Sequence, residues 1–323
     1  MKTTSMNNTD FRNPGIDLDM DLINKIKVNK SAVERRADTM GTRRAVKKEW
    51  QAAWLLRAIT CIDLTTLAGD DTFGNVSRLC AKARQPVRTD ILAAMGITTP
   101  ITVGAVCVYH NLIPAASASL QGSDIPIAVV STGFPAGQIT MAQKVKEIKA
   151  SVAAGAKEID IVISRANVLT GNWRALYNEV KAFREACGEA HMKTILATGE
   201  LATLTNVAKA SQVCMMAGAD FIKTSTGKES LNATLPVSLV MVRAIRDYYE
   251  QTGYKVGFKP AGGISKAKDA LTWLILIKEE LGDEWLNAHL FRFGASSLLG
   301  DIERQLEHFT TGRYSASYRH PAA

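Results

Sequence analysis

Two lysines and one aspartate lie within or at the end of short apolar runs, where solvated charges are uncommon. Asp160, Lys223 and Lys259 each follow isoleucine, valine or phenylalanine residues. A lysine is normally a solvated cation with a pKa of about 10.4, and a lysine at a strand end often only extends its ammonium group into water. The alternative is an amine nucleophile that forms a Schiff base with a carbonyl substrate. The surrounding strands and helices indicate which of these two interpretations applies.

An amine nucleophile must be uncharged at neutral pH. This requires a lysine pKa of about 7–8, about 3 pH units below the ordinary value, which corresponds to roughly 4 kcal/mol. A second cation disfavours the charged form of a lysine, and so does burial. Lys223 and Lys259 on neighbouring strands, roughly 4.8 Å apart, would have this effect. Asp160 could then transfer protons directly or through a water, and the competing interpretation is an ordinary salt bridge between Asp160 and one lysine.

The elements that carry these residues alternate between β-rich runs and amphipathic segments of helical length. Strands are predicted at 59–63, 102–109, 127–131, 158–163, 194–198, 221–224, 256–259 and 290–294. Helices are predicted at 72–83, 114–120, 142–153, 173–187, 204–216, 235–251, 267–281 and 297–309. Eight strands, each followed by a helix, across about 250 residues indicate an α/β fold of the (β/α)8 TIM-barrel type. An open doubly wound sheet would usually have fewer strands and a Gly-rich loop after the first one.

In such a barrel the chemistry lies at the C-terminal ends of the strands. Side chains alternate along a strand, so the three isoleucines at 159, 161 and 163 share one face and Glu158, Asp160 and Val162 share the other. The isoleucine face suits the helix layer. The pattern therefore predicts that Asp160 points into the barrel.

The sequence divides into three parts. Residues 1–52 are predicted to be an N-terminal extension, helical near 17–28 and partly disordered; residues 53–309 form the single barrel domain, and residues 310–323 a flexible C-terminal tail. The extension carries a basic cluster of Arg35, Arg36, Arg43, Arg44, Lys47 and Lys48. This cluster is either a solvated helical face or a contact for an acidic partner.

Composition narrows the function classes. The 323 residues are 46% hydrophobic and 22% charged, with a net charge of +8, which suits a phosphorylated substrate as well as nucleic acid. No aromatic-plus-basic array, nucleic-acid motif or zinc spacing is present, and the longest apolar run, 271–277, is too short to span a bilayer. The five scattered cysteines and the lack of a signal peptide indicate a cytoplasmic protein with reduced thiols. The sequence is compatible with a homo-oligomer.

A phosphate site is predicted from the loops that follow strands six to eight, since barrels commonly bind phosphate after strands seven and eight. Glycines let backbone N–H groups approach an anion, and serines at the start of a helix can donate to it. The candidates are Gly227, Lys228, Gly262, Gly263, Gly294, Ser296 and Ser297. The glycines are also explained by tight turns, and both interpretations can hold together.

Six ordered stretches resemble signature motifs of the deoxyribose-phosphate aldolase family. They are residues 63–67, 158–160, 197–201, 221–228, 257–263 and 293–299. The resemblance covers about residues 57–318. The long extension and the segments 171–173 and 183–191 are similar to the longer, animal-type members.

The resemblance implies a class I aldolase with a barrel fold and with neither metal nor cofactor. Such an enzyme reversibly cleaves 2-deoxy-D-ribose 5-phosphate to D-glyceraldehyde 3-phosphate and acetaldehyde, in deoxyribose catabolism. By this resemblance Lys223 forms the Schiff base, Lys259 perturbs the pKa of Lys223 and takes part in proton transfer, and Asp160 donates and accepts protons. The expected partner is a phosphorylated sugar, with no nucleic acid and no membrane.

Four further residues are weaker candidates. Cys107 either faces the substrate or is a core thiol, and Asp63 either orients a lysine or the substrate hydroxyl or caps a helix. Thr198 belongs to the motif 197–201. Tyr318 matches a family tyrosine that assists proton transfer from the tail, but five residues follow it here and Tyr314 is a rival.

Two other functions fit the same residues. One is a lysine-dependent barrel aldolase that acts on a longer phosphorylated sugar and releases no acetaldehyde. The other is a catalytically silent barrel that binds a phosphorylated ligand, or an acidic partner through the basic extension.

Overall fold

Eight parallel strands, in a computed structural model that describes residues 12–320, form the centre of the molecule. They are β1 (Ile62–Thr65), β2 (Ala105–Val108), β3 (Ile127–Ser131), β4 (Glu158–Val162), β5 (His191–Ile195), β6 (Phe221–Lys223), β7 (Gly257–Lys259) and β8 (Phe293–Ala295). Hydrogen bonds join them in the order β7-β6-β5-β4-β3-β2-β1-β8. Isolated bridges between Phe258 and Phe291 and between Ala261 and Gly294 close β7 onto β8. The predicted (β/α)8 barrel is therefore confirmed.

Helices cover the outside of the barrel. They are α1 (Met20–Lys25), α2 (Lys30–Asp38), α3 (Lys48–Thr60), α4 (Phe73–Arg84), α5 (Thr89–Ala94), α6 (Ile113–Leu120), α7 (Met141–Ala153), α8 (Arg165–Leu169), α9 (Trp173–Cys187), α10 (Leu204–Met216), α11 (Leu235–Thr252), α12 (Ala267–Glu280) and α13 (Leu298–Thr311). Threonine caps begin several of them: Thr72 and Thr140 each form a capping box with the residue three positions on. None of these helices is long and apolar enough to cross a membrane.

Five strands begin at positions other than those predicted: β1, β2 and β8 begin three residues later, β7 begins one residue later, and β5 begins three residues earlier. β1 starts at Ile62 because α3 continues to Thr60, so the predicted start at Ile59 lies in a helix. β5 runs from His191 to Ile195 and ends before Thr198, because Ala197 adopts a left-handed backbone conformation (φ 54°) that turns the chain. Because β5 begins three residues before its predicted start, Lys193 lies inside the strand.

The first helices pack against the barrel. Ile23, Val33 and Met40 are at most 4% exposed, and α2 lies on α11 while α3 lies on α12 and α13. The helix predicted near 17–28 corresponds to α1, whereas α2 and the start of α3 were not predicted, and residues 1–11 lie outside the described range. Within the basic cluster, Arg36 and Arg44 bind Glu280 and Glu279 of α12. Part of the cluster therefore binds acidic residues of the chain's own barrel.

The strand faces divide as the alternation predicts. Ile159, Ile161 and Ile163 join the main core between sheet and helices. A second, smaller apolar cluster inside the barrel consists of Ala105, Cys107, Ala128 and Val130 from β2 and β3. The opposite side of the interior is charged, and it holds the candidate site.

Candidate active site

Lys223 and Lys259 lie side by side at the ends of β6 and β7. Their Cα atoms are direct partners in the β6–β7 register. Both ammonium groups donate to the same atom, Asp160 Oδ2, at 2.8 Å from Lys223 Nζ and 2.7 Å from Lys259 Nζ. All three side chains are at most 4% exposed. The three side chains therefore converge inside the barrel.

The second oxygen of Asp160 binds a third lysine. Lys193, the register partner of Asp160 on β5, donates to Asp160 Oδ1 at 3.1 Å and also to Glu158. Its side chain is fully buried. Asp160 is thus shared by three lysines, where the sequence analysis anticipated two.

Asp63 and Arg292 complete the charged cluster. Asp63 accepts hydrogen bonds from Lys259 at 2.5 Å and from Arg292 at 2.5 Å. The Arg292 guanidinium also binds Glu158, with Nη2 at 2.8 Å from Oε1 and Nη1 at 3.2 Å from Oε2. Of the roles left open for Asp63, the geometry favours orienting a lysine over capping a helix, because Asp63 lies within β1 and is buried.

Sequence reasoning missed Lys193 and Arg292, although signals for both were present. Lys193 fell outside the strand predicted at 194–198. In the strand as it stands, alternation places Lys193 and Ile195 on one face. Arg292 stood inside the predicted run 290–294, between Phe291 and Phe293, and the same alternation would have turned it to the face opposite the two rings.

The electrostatics of the three lysines differ. Burial lowers the pKa of Lys223; the nearby Asp160 carboxylate opposes this, and the cation of Lys259 adds to the lowering. Burial would also lower the pKa of Lys259, but Asp160 and Asp63 together outweigh it and raise that pKa. Lys223 is therefore the amine that loses its proton most easily.

The carboxylates of the cluster stay ionised. Burial alone would raise the pKa of Asp160, but Lys193, Lys223 and Lys259 overcome it and hold that pKa well below its usual range. The pKa of Asp63 is lowered in the same way, against burial, by Arg292, Lys259 and Lys193. An ionised Asp160 therefore lies beside an easily deprotonated Lys223, which is the arrangement that a base and an amine nucleophile require.

Cys107 and Thr198 are buried beside this cluster. Cys107 faces the apolar cluster, and burial raises the pKa of its thiol, which keeps it neutral. The backbone N–H of Thr198 donates to the carbonyl oxygen of Thr224 at 2.9 Å, which ties the end of β5 to the end of β6. Within the described range, neither residue hydrogen-bonds a lysine of the cluster.

The glycines and serines predicted to bind phosphate line three adjoining loops. A Cβ atom on Gly227, whose φ is 84°, would lie 4.0 Å from Gly262 Cα, and Gly262 and Gly263 also have positive φ angles of 80° and 82°. Gly294 bridges to Ala261. Ser296 and Ser297 are exposed immediately before α13. Lys228 is exposed and forms no ion pair with another described residue.

The tail tyrosines lie away from the lysines. Tyr318 is 82% exposed and makes no hydrogen bond to the residues between 12 and 320. Its neighbours Arg319 and His320 bind Glu307 of α13, at 2.8 Å and 2.6 Å. Tyr314, the rival, stacks on His308 of the same helix. The structure therefore does not bring Tyr314 or Tyr318 into the cluster.

Over residues 12–320, no group of three or more His, Cys, Asp or Glu side chains is arranged to hold a metal ion. The five cysteines are all free and buried, as the sequence predicted.

Comparison with known proteins gives a consistent result. Residues 57–299 match the family model described as DeoC/LacD family aldolase. The chain is 61% identical to deoxyribose-phosphate aldolase of Bos taurus and 62% identical to that of Mus musculus, in both cases over 95% of this chain and 98% of the relative. The solved structure of deoxyribose phosphate aldolase from Aeropyrum pernix, described as tetrameric, superposes with a TM-score of 0.59 at 22% identity, over 86% of this chain and 99% of that one. That structural likeness concerns the fold.

Proposed function

The chain belongs to the DeoC/LacD family of aldolases, and we propose that it is a class I aldolase that reversibly cleaves 2-deoxy-D-ribose 5-phosphate to D-glyceraldehyde 3-phosphate and acetaldehyde. The close relatives support the reaction. The observation that carries the assignment of residues is the single oxygen, Asp160 Oδ2, shared by Lys223 and Lys259. It gives the nucleophile a neighbouring base and a neighbouring cation.

The first step is imine formation on Lys223. Its neutral amine adds to the C1 aldehyde carbon of the open-chain sugar, and loss of water leaves a protonated imine. The positive charge then lies where the ammonium group lies now, 2.8 Å from the carboxylate of Asp160. Asp160 therefore stabilises the iminium ion as it forms.

The second step breaks the C2–C3 bond. The proton of the C3 hydroxyl passes to Asp160, directly or through a water, and the C2–C3 electron pair moves to the imine nitrogen. This releases D-glyceraldehyde 3-phosphate and leaves a neutral enamine on Lys223. The adjacent Lys259 cation favours this step, because loss of the iminium charge removes a repulsion. The lysine itself serves as the electron sink, so the scheme calls for no cofactor.

The last step protonates the enamine at C2 and hydrolyses the imine to acetaldehyde. Lys259 is the proposed proton source, because its pKa is raised and it therefore carries a proton at neutral pH. Asp160 lies 2.7 Å from Lys259 and can return the proton that it accepted earlier. Water then restores the free amine of Lys223.

The phosphate of the substrate is proposed to bind in the loops after β6, β7 and β8. Gly227, Gly262 and Gly294 let backbone N–H groups approach an anion, and the start of the 14-residue helix α13 attracts negative charge. The exposed Lys228 adds a cation. The five buried free thiols fit a reducing compartment and support the proposal of a cytoplasmic enzyme.

Borohydride trapping tests the assignment. Incubation with 2-deoxyribose 5-phosphate or with acetaldehyde, followed by reduction, is expected to leave an ethyl group on Lys223 in a peptide mass map. Lys259→Met should retain the modification site but form the adduct more slowly. An adduct on Lys259 in place of Lys223 would overturn the assignment. A product mixture without acetaldehyde would instead favour an aldolase for a longer sugar.

A further inference from the structure

Among residues 12–320, seven acidic and basic side chains contact one another in the barrel interior. Three are carboxylates and four are cations, all at least nine-tenths buried: Asp63, Glu158, Asp160, Lys193, Lys223, Lys259 and Arg292. If every group were ionised, the cluster would carry one cation too many. A buried charge without a counter-charge is strongly unfavourable, so one of the four cations is the natural one to become neutral.

The contacts identify that group. Arg292 binds both Glu158 and Asp63. Lys193 binds Glu158 and Asp160, and Lys259 binds Asp63 and Asp160. Among these four cations, Lys223 alone has a single carboxylate partner, and it shares that oxygen with Lys259.

Arg292 is held in place by several independent contacts. Its Nε donates to the carbonyl oxygen of Ala288, and its two Nη atoms reach Glu158 and Asp63. Gly104 leaves room for the chain, because a Cβ atom there would lie 3.2 Å from Arg292 Cδ and 2.9 Å from the carbonyl oxygen of Thr60. The guanidinium is therefore a fixed part of the interior.

We propose that Arg292 and Glu158, which do not touch Lys223, are positioning residues that set the charge balance of the barrel interior and so leave the Lys223 amine free to react. The proposal rests on the proposed function of Lys223. The Arg292 guanidinium binds Glu158 and one carboxylate oxygen of Asp63. Glu158 in turn binds Lys193, which would otherwise have only Asp160 and the more distant Asp63, at 3.6 Å, as partners.

The titratable groups of the interior around Lys223 come from β1, β2, β4, β5 and β7 and from the residue before β8. They are Asp160 and Glu158 on β4, Lys193 on β5, Lys259 on β7, Asp63 on β1, Arg292 next to β8 and the thiol of Cys107 on β2. His191 and His289 lie near Glu158, and burial lowers the pKa of both imidazoles, which keeps them neutral near pH 7. The balance near neutral pH is thus set by the three carboxylates and the four cations.

The test is the pH dependence of Lys223 modification in single and compensating variants. Arg292→Met leaves two other cations against three carboxylates, so the pKa of Lys223 is expected to rise by about one pH unit or more. Trapping with acetaldehyde at pH 7 should then fall about tenfold each time this pKa rises by one, and it should recover at higher pH. Glu158→Gln leaves three other cations against two carboxylates and should move the profile to lower pH.

The double variant Arg292→Met/Glu158→Gln separates charge balance from packing. It leaves two cations against two carboxylates besides Lys223, so the charges balance again, and its pH profile should return close to that of the wild type. Arg292→Lys should also retain the wild-type profile. Lys144→Met is a matched control, because Lys144 forms an equally buried pair with Glu179 in the helix layer, at 2.9 Å, and it should not move the profile.

Profiles that move in the same direction in the two single variants, or a loss of trapping by the same factor at every pH, would overturn the proposal. If Arg292→Met does not fold, Glu158→Gln still tests the proposal. Only charge balance predicts that this variant moves the pH profile of Lys223 modification to lower pH. Reductive methylation with formaldehyde, followed at Lys223 by mass spectrometry, needs no sugar substrate. A wild-type protein that is methylated at Lys223, with the expected profiles in the variants, but does not cleave the sugar would refute the proposed function and leave the charge balance standing.

Discussion

Two buried aspartates of the barrel, Asp160 and Asp220, bind their cations in opposite ways. Asp220 precedes β6 and lies only three residues from Lys223. Its Oδ2 accepts from Arg184 at 2.6 Å and from the backbone N–H of Met192 at 2.8 Å, and its Oδ1 accepts from the backbone N–H of Asn13 at 2.9 Å. Among the described residues, Asp160 accepts no such backbone bond and is shared among three lysines.

The difference separates a structural carboxylate from the one that is proposed to react. Around Asp220, one close cation and two backbone donors fix the N-terminal segment, α9 and β5 to each other. Around Asp160, the cations outnumber the oxygens and compete for them, which leaves one amine weakly held. Both aspartates are buried, so burial alone does not distinguish them; the ratio of cations to carboxylate oxygens does.

Replacing the weakly held amine is the sharpest way to test this comparison. Lys223→Met is expected to lower kcat/KM by a factor on the order of 10⁴ or more, because the covalent path is lost. Stability should hold or increase. The pKa of Lys223 is lower in the folded protein than in the unfolded chain, so its protonation is disfavoured on folding at neutral pH, and removal of the amine ends this effect. Steady-state kinetics and urea unfolding measure the two outcomes.

A large loss of stability in Lys223→Met would contradict the comparison, since it would make Lys223 a structural cation like Arg184. Wild-type turnover would contradict the proposed mechanism instead.

The reverse outcome is expected at the structural aspartate. Asp220→Ala removes the buried carboxylate that pairs with Arg184 and lies 3.5 Å from Arg12, and it leaves two backbone N–H groups without their acceptor. The free energy of unfolding should fall by about 3–5 kcal/mol, the usual effect of breaking a buried pair. The folded fraction, measured well below the unfolding midpoint, should still form the Lys223 adduct. Loss of trapping without loss of stability would show that the two aspartates do not divide their roles in this way.

The sequence predicted the surroundings of Asp160 better than those of Asp220. The order of the eight strands and the inward face of Asp160 follow from period-two alternation and from β/α spacing, which are local properties of the chain. The contacts of Asp220 with Asn13 and Met192 join residues that are 207 and 28 positions apart. No local pattern encodes such pairings.

The third lysine was missed for a related reason. The position of β5 depends on the turn that follows it. That turn needs a left-handed conformation at Ala197, which alanine does not prefer, so the sequence does not indicate it. The tertiary structure imposes that turn. Once the strand is placed correctly, Lys193 enters the interior by the same alternation that placed Asp160.

Acid should weaken the interior cluster in a defined window. The pKa values of Asp63, Glu158 and Asp160 are held below their ordinary values, against burial, by the surrounding cations. Their contribution to stability is therefore fully present above about pH 5 and is lost as the pH falls below about 4, by roughly 1.4 kcal/mol per pH unit for each proton taken up on unfolding. Urea midpoints measured from about pH 7 to about pH 3 follow this loss.

Lys223→Met should make that acid dependence shallower, because one of the three cations that lower the pKa of Asp160 is gone. An unchanged slope would mean that Lys223 contributes nothing to the ionisation of Asp160, which the 2.8 Å contact argues against.

The smallest effect is expected on the apolar side of the same interior. Cys107 belongs to the cluster with Ala105, Ala128 and Val130, and its thiol is neutral because burial raises its pKa. Cys107→Ala should change kcat/KM by less than about threefold and lower the free energy of unfolding by about 1 kcal/mol, the effect of removing one buried atom. A loss of activity comparable to that in Lys223→Met would show that the thiol takes part in the reaction, and the division of the barrel interior into a reactive charged side and an inert apolar side would then fail.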